Sequence, residues 1–137
     1  MKILFVCKYN RFRSRIAEVY FKKINRNKKI KVSSAGLIKG YLPLDRNQVR
    51  NAKEFGLNIL GKPRTTSMEM LRNQDLIIII ADDIPKTIFN KNWYKDKVII
   101  WKIPDVKEGR DVEGNRKIIR AILKKVDELN KKLERRR

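Results

Sequence analysis

Cys7 is the only cysteine in the chain, and Arg13 and Ser14 follow it at intervals of six and seven residues. A thiol works as a nucleophile through its thiolate. Cys7 closes the apolar run Ile3-Leu4-Phe5-Val6 and precedes a helix-like stretch from Ser14 to Ile24. Between the end of a strand and the start of a helix, backbone N–H groups and the positive end of the helix dipole converge. Such a place favours thiolate and binds oxyanions. Cys-x5-Arg-Ser therefore sets a nucleophile, a phosphate cradle and a cationic clamp within eight residues.

Composition narrows the chemistry further. There is no histidine, which removes Ser-His-Asp and Cys-His catalysis and most zinc sites. A lone cysteine excludes an internal disulfide and a Cys-x-x-Cys redox pair. The 137 residues, 42% of them apolar, suit a single domain over 1–137 that buries about two-thirds of its unfolded surface. No apolar run approaches the ~20 residues of a membrane span. Met1 to Phe5 reads as a first strand, not a signal peptide. A cytoplasmic protein with no membrane partner is expected. Lys and Arg number 35 against 15 Asp and Glu, a net charge of +20. That field attracts nucleic acid, acidic proteins or phosphorylated ligands. The basic residues are spread along the chain, with clusters near 22–31 and 131–137. That distribution suits a solvated surface, and nucleic acid stands as a candidate partner through it.

Strands and helices alternate along the chain. Residues 2–6 predict a strand. Residues 14–26 predict a helix with Ile16, Ala17, Tyr20 and Ile24 on one face. Residues 30–34 predict a second strand ending at Ser33-Ser34-Ala35-Gly36. Asp45 is placed to cap a helix running to about Phe55, with Gly56 as its stop. Short helices are expected at 66–73 and 84–90, the latter capped by Asp83. Leu76 to Ile80 reads as a central strand buried on both faces, and Val98 to Trp101 as a fourth strand. A last helix from about 113 carries Ile118, Ile122, Val126, Leu129 and Leu133 in one stripe, with a frayed tail at 135–137. Such alternation predicts an α/β fold: three layers, a four-stranded parallel sheet with helices on both faces. Ligands then bind at the C-terminal edge of the strands, where Cys7, Ser34, Asp82 and Asp105 fall.

The run from Cys7 to Ser14 resembles the phosphate-binding loop of the low-molecular-weight protein tyrosine phosphatases. Cys7, Asn10, Arg13 and Ser14 stand where that family has Cys, Asn and Arg-Ser. Ala17-Glu18, Ser34-Ala35-Gly36, Asp75-Leu76-Ile77 and Ile103-Pro104-Asp105 match it further along, in order. The resemblance implies a flavodoxin-like sheet of order 2-1-3-4 and a metal-independent phosphomonoesterase that needs no cofactor. It implies that Cys7 forms a phosphocysteine and Arg13 clamps two phosphate oxygens. The N–H groups of Lys8, Tyr9, Asn10, Arg11, Phe12, Arg13 and Ser14 hold the rest. Asp105 serves as acid and then base, in preference to Asp82 and Asp83. Ser14 is expected to donate to the sulfur and to cap the helix. Asn10 is expected to shape the loop from a left-handed conformation.

Several positions depart from the family pattern. Tyr9 replaces a Gly, and Arg11 occupies a substrate-selecting position. Val106-Lys107-Glu108 stand where the family often has Pro and aromatic residues, which weakens the expectation of tyrosine selectivity. Tyr9, Arg11, Tyr41 and Leu42 are the candidate pocket walls. Gly61 stands where many relatives place a loop-bracing His, so Ser33 or Ser34 is expected to supply that brace. The expected activity is a protein-tyrosine phosphatase acting on phosphotyrosine in proteins or on small aryl phosphates. The alternatives are a non-catalytic phosphate- or nucleic-acid-binding module, and an arsenate reductase drawing on external thiols.

Overall fold

The computed structural model describes residues 1–84 and 95–135. In chain order the elements are β1 (Lys2–Cys7), α1 (Arg13–Ile24), β2 (Lys31–Gly36), α2 (Arg46–Glu54), α3 (Met68–Arg72) and β3 (Leu76–Ile80). A 3₁₀ turn (Lys95–Lys97), β4 (Val98–Trp101) and α4 (Val112–Arg135) follow. All but the first residue of the helix expected at 84–90, and the end of the expected frayed tail, 136–137, lie outside the described residues. Arg135 itself is helical.

The four strands form one sheet of order β2-β1-β3-β4. All of its pairings are parallel, as the alternation of strand and helix predicts. A parallel sheet buried on both faces needs continuous apolar strands. Ile3 to Val6 and Ile77 to Ile80 meet that need, and all are buried. Over one face, α1 and α4 enclose Ile3, Phe5, Ile16, Phe21, Ile119 and Val126. The Phe5 ring lies 6.3 Å from that of Phe21 and 5.9 Å from that of Trp101, so aromatic packing locks α1 to the sheet. The other face carries Leu4, Val6, Ile77 and Ile79 under Leu71 of α3.

β1 runs one residue past the expected 2–6, to Cys7, and three further elements differ in their bounds. α1 spans Arg13–Ile24, not 14–26, and ends where the Asn25 N–H bonds the Phe21 carbonyl. β2 runs on to Gly36 because it pairs with β1 as far as Cys7, opposite Gly36. α3 is shorter than 66–73, since Ser67 caps it by accepting from the Met70 N–H. The expected α2 cap holds: Asp45 accepts from the N–H groups of Asn47 and Gln48. Gly56, at φ +76°, takes the left-handed conformation that ends a helix.

Candidate active site

β1 delivers Cys7 to the C-terminal edge of the sheet, and the chain then turns through residues 8–12 into α1. Two local features shape that turn. Asn10 takes φ +55°, a conformation that Asn tolerates better than most residues. Gly36, next door on β2, permits close passage, because a Cβ there would lie 2.5 Å from the Tyr9 carbonyl carbon and 2.7 Å from the Asn10 nitrogen. The N–H groups of Leu37 and Ile38 bond the carbonyls of Cys7 and Lys8, extending the ladder into the turn.

Asn10 is fully buried and uses every polar valence of its amide. Its Nδ2 donates to Ser14 Oγ at 2.8 Å and to Ser34 Oγ at 2.9 Å. Its Oδ1 accepts from the Arg64 N–H at 3.0 Å and from Arg15 Nη1 at 3.2 Å. Because the Asn10 amide nitrogen can only donate, Ser14 Oγ accepts from it and has its own proton available for Cys7 Sγ, 2.9 Å away. By the same logic Ser34 donates onward to Glu18 Oε1 at 2.5 Å. The series Cys7–Ser14–Asn10–Ser34–Glu18 is one chain of buried hydrogen bonds. Ser14 does not cap α1, contrary to expectation. Phe12 precedes the helix without a side-chain cap, and Ser14 sits inside the first turn with its hydroxyl committed to Sγ.

Ser34 thus occupies the bracing place expected of Ser33 or Ser34, and it acts with Glu18, which the sequence offers only as part of the family match, and with Arg15, which it does not offer as a site residue. Arg15 and Glu18 are both buried in α1. Arg15 Nε donates to the Ile59 carbonyl at 2.7 Å. Its guanidinium fills the space where a Cβ at Gly61 would stand. Burial pulls the Arg15 pKa below its ordinary value, while Glu18 pulls it back up. Glu18 also accepts from Lys22 at 2.6 Å. A signal for Arg15 was present in the sequence, a cation directly after Arg-Ser, but in a chain so rich in cations it did not stand out.

Arg13 is 2% exposed. Its Nη1 donates to the Ile103 carbonyl at 2.9 Å, and its Nη2 lies 3.5 Å from Asp83 Oδ1. Such anchoring holds a guanidinium as a planar fork. Cys7, Arg13, Asp83 and Asp105 all line one cavity of about 210 Å³. Lys8, Tyr9, Arg11 and Phe12 also border it. Asp105 is exposed, and its Oδ1 accepts from the Val106 N–H at 2.8 Å. Asp82, the third carboxylate weighed as an acid, does not line this cavity.

The expected pocket walls divide. Tyr9 and Arg11 border the cavity, but Tyr41 and Leu42 line an adjoining groove with Ile38, to which Tyr9 and Arg11 also contribute. The reason lies in the 37–44 loop. Arg11 Nε and Nη2 both donate to the Pro43 carbonyl, at 3.0 and 2.8 Å, and Gly40 abuts the Tyr9 ring. The loop is thereby held on the outer side of Tyr9, with Tyr41 89% exposed.

The model of a protein family described as low molecular weight phosphotyrosine protein phosphatase matches residues 2–137. Among solved structures, the chain is similar to a protein tyrosine phosphatase from Entamoeba histolytica. The identity is 25%, the match covers 98% of this chain and 97% of that one, and the TM-score is 0.88. It is also similar to the YwlE arginine phosphatase from Geobacillus stearothermophilus, at 21% identity over 98% and 94% of the two chains with a TM-score of 0.84. An arsenate reductase from Archaeoglobus fulgidus matches at 28% identity over 93% and 98% of the chains, with a TM-score of 0.71. No curated protein sequence matches. A cysteine-arginine cradle at the edge of a 2-1-3-4 parallel sheet and the full-length family match lead to one conclusion: the chain is a cysteine-dependent phosphatase that belongs to the low molecular weight phosphotyrosine protein phosphatase family.

Proposed function

We propose that residues 1–137 form one phosphatase domain that cleaves phosphotyrosine in proteins by two in-line displacements at Cys7. In the first, Sγ attacks phosphorus, the bond to the leaving oxygen breaks, and Asp105 gives its proton to that oxygen. In the second, Asp105 takes a proton from water as the water oxygen attacks the phosphocysteine. The P–S bond breaks and phosphate leaves. Arg13 and the N–H groups of residues 8–14 carry the charge on the equatorial oxygens throughout. The observation that carries this reading is the Ser14 hydroxyl, its proton free to point at Sγ 2.9 Å away, beside a cavity shared with Arg13 and Asp105.

The surroundings of the cavity support a protein substrate. Tyr9, Ile38, Tyr41 and Leu42 offer an exposed apolar groove for residues flanking the phosphorylated one. Lys8, Arg11 and Lys107 border the cavity with positive charge and favour acidic neighbours. Arsenate reduction fits less well, because Cys7 is the only thiol the chain has for a redox relay. A free thiol suits a reducing, cytoplasmic setting. Among the described residues no helix is long and apolar enough to cross a membrane. The deciding measurement is phosphate release from matched phosphotyrosine, phosphoserine and phosphoarginine peptides, with Cys7→Ser as control. Phosphotyrosine is expected to lead, and the control to be silent. A lead for phosphoarginine would overturn the tyrosine assignment. Equal release by Cys7→Ser would overturn the mechanism.

A further inference from the structure

At the edge of the same cavity, which Gln48 and Gly109 help to line, three side-chain amides are buried together where α2 meets α4. Asn115, in the first turns of α4, is fully buried, with Gln48 and Asn51 of α2 almost so. Asn115 Nδ2 donates to Asn51 Oδ1 at 3.0 Å and to the Gly109 carbonyl at 2.7 Å. Its Oδ1 accepts from Gln48 Nε2 at 3.3 Å. Buried amides are retained at a desolvation penalty unless their partners are in place, so this cluster has one satisfied arrangement. That arrangement includes Gly109, four residues beyond Asp105. Gly109 also packs against the Asp45 carboxylate at the start of α2, closely enough to leave no room for a Cβ. At its other end the same loop is held by the Ile103 carbonyl, which accepts from Arg13. Asp105, Val106 and Lys107, between these two anchors, line the cavity, and among the described residues the Asp105 carboxylate bonds only its neighbour's N–H.

We infer that the Gln48–Asn51–Asn115 cluster is a latch that fixes the 102–111 loop so that the Asp105 carboxyl stays within reach of the leaving oxygen. Asn115 is its central positioning residue. The inference rests on the reading of Asp105 as general acid. A latch of this kind alters one part of the reaction selectively. A nitrophenolate departs from phosphorus without a proton, whereas a phenolate with a conjugate-acid pKa of about 10, as for tyrosine, needs one. Loosening the latch therefore slows the second kind of substrate and spares the first.

The test is the single-turnover rate of leaving-group release from phenyl phosphate and from 4-nitrophenyl phosphate. It is run on the full chain and on Asn115→Ala, Asn51→Ala and Asp105→Asn. Inorganic phosphate inhibition monitors the cradle. General acid catalysis is worth about 10²–10⁴-fold. Asn115→Ala is expected to lose about tenfold of it with phenyl phosphate while nitrophenyl phosphate changes by less than about twofold. Phosphate inhibition should be unchanged. Asn51→Ala, which leaves the Gly109 bond intact, should show a smaller bias in the same direction and serves if Asn115→Ala does not fold. If Asp105→Asn is biased and neither amide variant is, the latch is overturned and the acid assignment stands. An unbiased Asp105→Asn overturns the acid assignment and the latch with it. Equal losses on both substrates in the amide variants mean a merely structural cluster and also overturn the latch.

Discussion

Residues 7–14 and residues 102–111 border the same cavity but are held in opposite ways. In the first segment the holding groups lie inside the loop or directly behind it. Asn10 is saturated, Ser14 and Ser34 are buried, and Arg13 and Arg15 are almost wholly enclosed. Among the described residues no buried side-chain polar atom of this network lacks a partner. In the second segment the holding groups lie at the ends, at Ile103 and Gly109, and the middle is exposed. The contrast matches the roles proposed for the two segments. Donors that stabilise developing charge act best when they need not reorganise, which demands a rigid, dry scaffold. A proton donor that later meets water must be reachable from solvent.

Substitutions can break this contrast at graded strength. The largest effect is expected from Cys7→Ser. It should reduce phosphate release by about 10⁴-fold or more, seen as loss of steady-state turnover and of any phosphoenzyme burst. Next comes Asp105→Asn, with a loss of about 10²–10³-fold in kcat at nearly unchanged midpoint of denaturation. If it unfolded the protein instead, the exposed middle of the 102–111 loop would be bearing structure and the contrast would fail.

Asn10→Ala probes the other side. It strands the Arg64 N–H and one Arg15 donor, each at about 1–3 kcal/mol. Urea titration should therefore show a loss of about 2–4 kcal/mol, together with weaker phosphate inhibition. A loss below about 0.5 kcal/mol would mean that the cradle does not depend on its buried amide. The smallest effect belongs to a contact that neither loop uses. Tyr20 donates to Asp127 at 2.7 Å, tying α1 to α4. Burial first, and then this hydrogen bond, raise its pKa from 10.0 to about 12. The neutral phenol is thus favoured in the folded state. Its contribution to stability is full below pH 10 and is lost as pH rises through about 12. Tyr20→Phe should flatten that alkaline decline in a stability–pH profile and leave phosphatase activity unchanged. An unaltered decline would rule the pair out as its cause.

Much of the cradle was legible because its signals are local. Cys7 after an apolar strand, Asn10 at a left-handed position and Arg13-Ser14 at the start of a helix are all statements about neighbours in sequence. The alternation of buried strands with amphipathic helices likewise predicted the parallel sheet, and Asp45 was read correctly as a cap. Errors arose where a residue had two local options. Ser14 suits an N-cap by type, yet a buried sulfur and Asn10 claim its hydroxyl. Tyr41 and Leu42 suit a pocket wall by type, yet the Arg11–Pro43 bonds hold their loop outside the cavity. Asp83 suits a helix cap by type, but the helix expected after it falls almost wholly on residues outside those described, and its carboxylate meets Arg13.

The amino-acid order alone determined the place of the lone thiol Cys7 and of Arg13, the left-handed turn at Asn10 between them and the layered α/β plan. All of these follow from dihedral preferences and hydrophobic periods that operate within a few residues. Only the tertiary structure decided which groups complete the site. Asn10 reaches Ser34 across 24 residues, Arg15 reaches Ile59 across 44, Asn115 reaches Asn51 across 64, and Arg13 reaches Ile103 across 90. Those partners are chosen by sheet register and helix packing, which bring distant segments together at hydrogen-bond distance, and no local propensity encodes that choice.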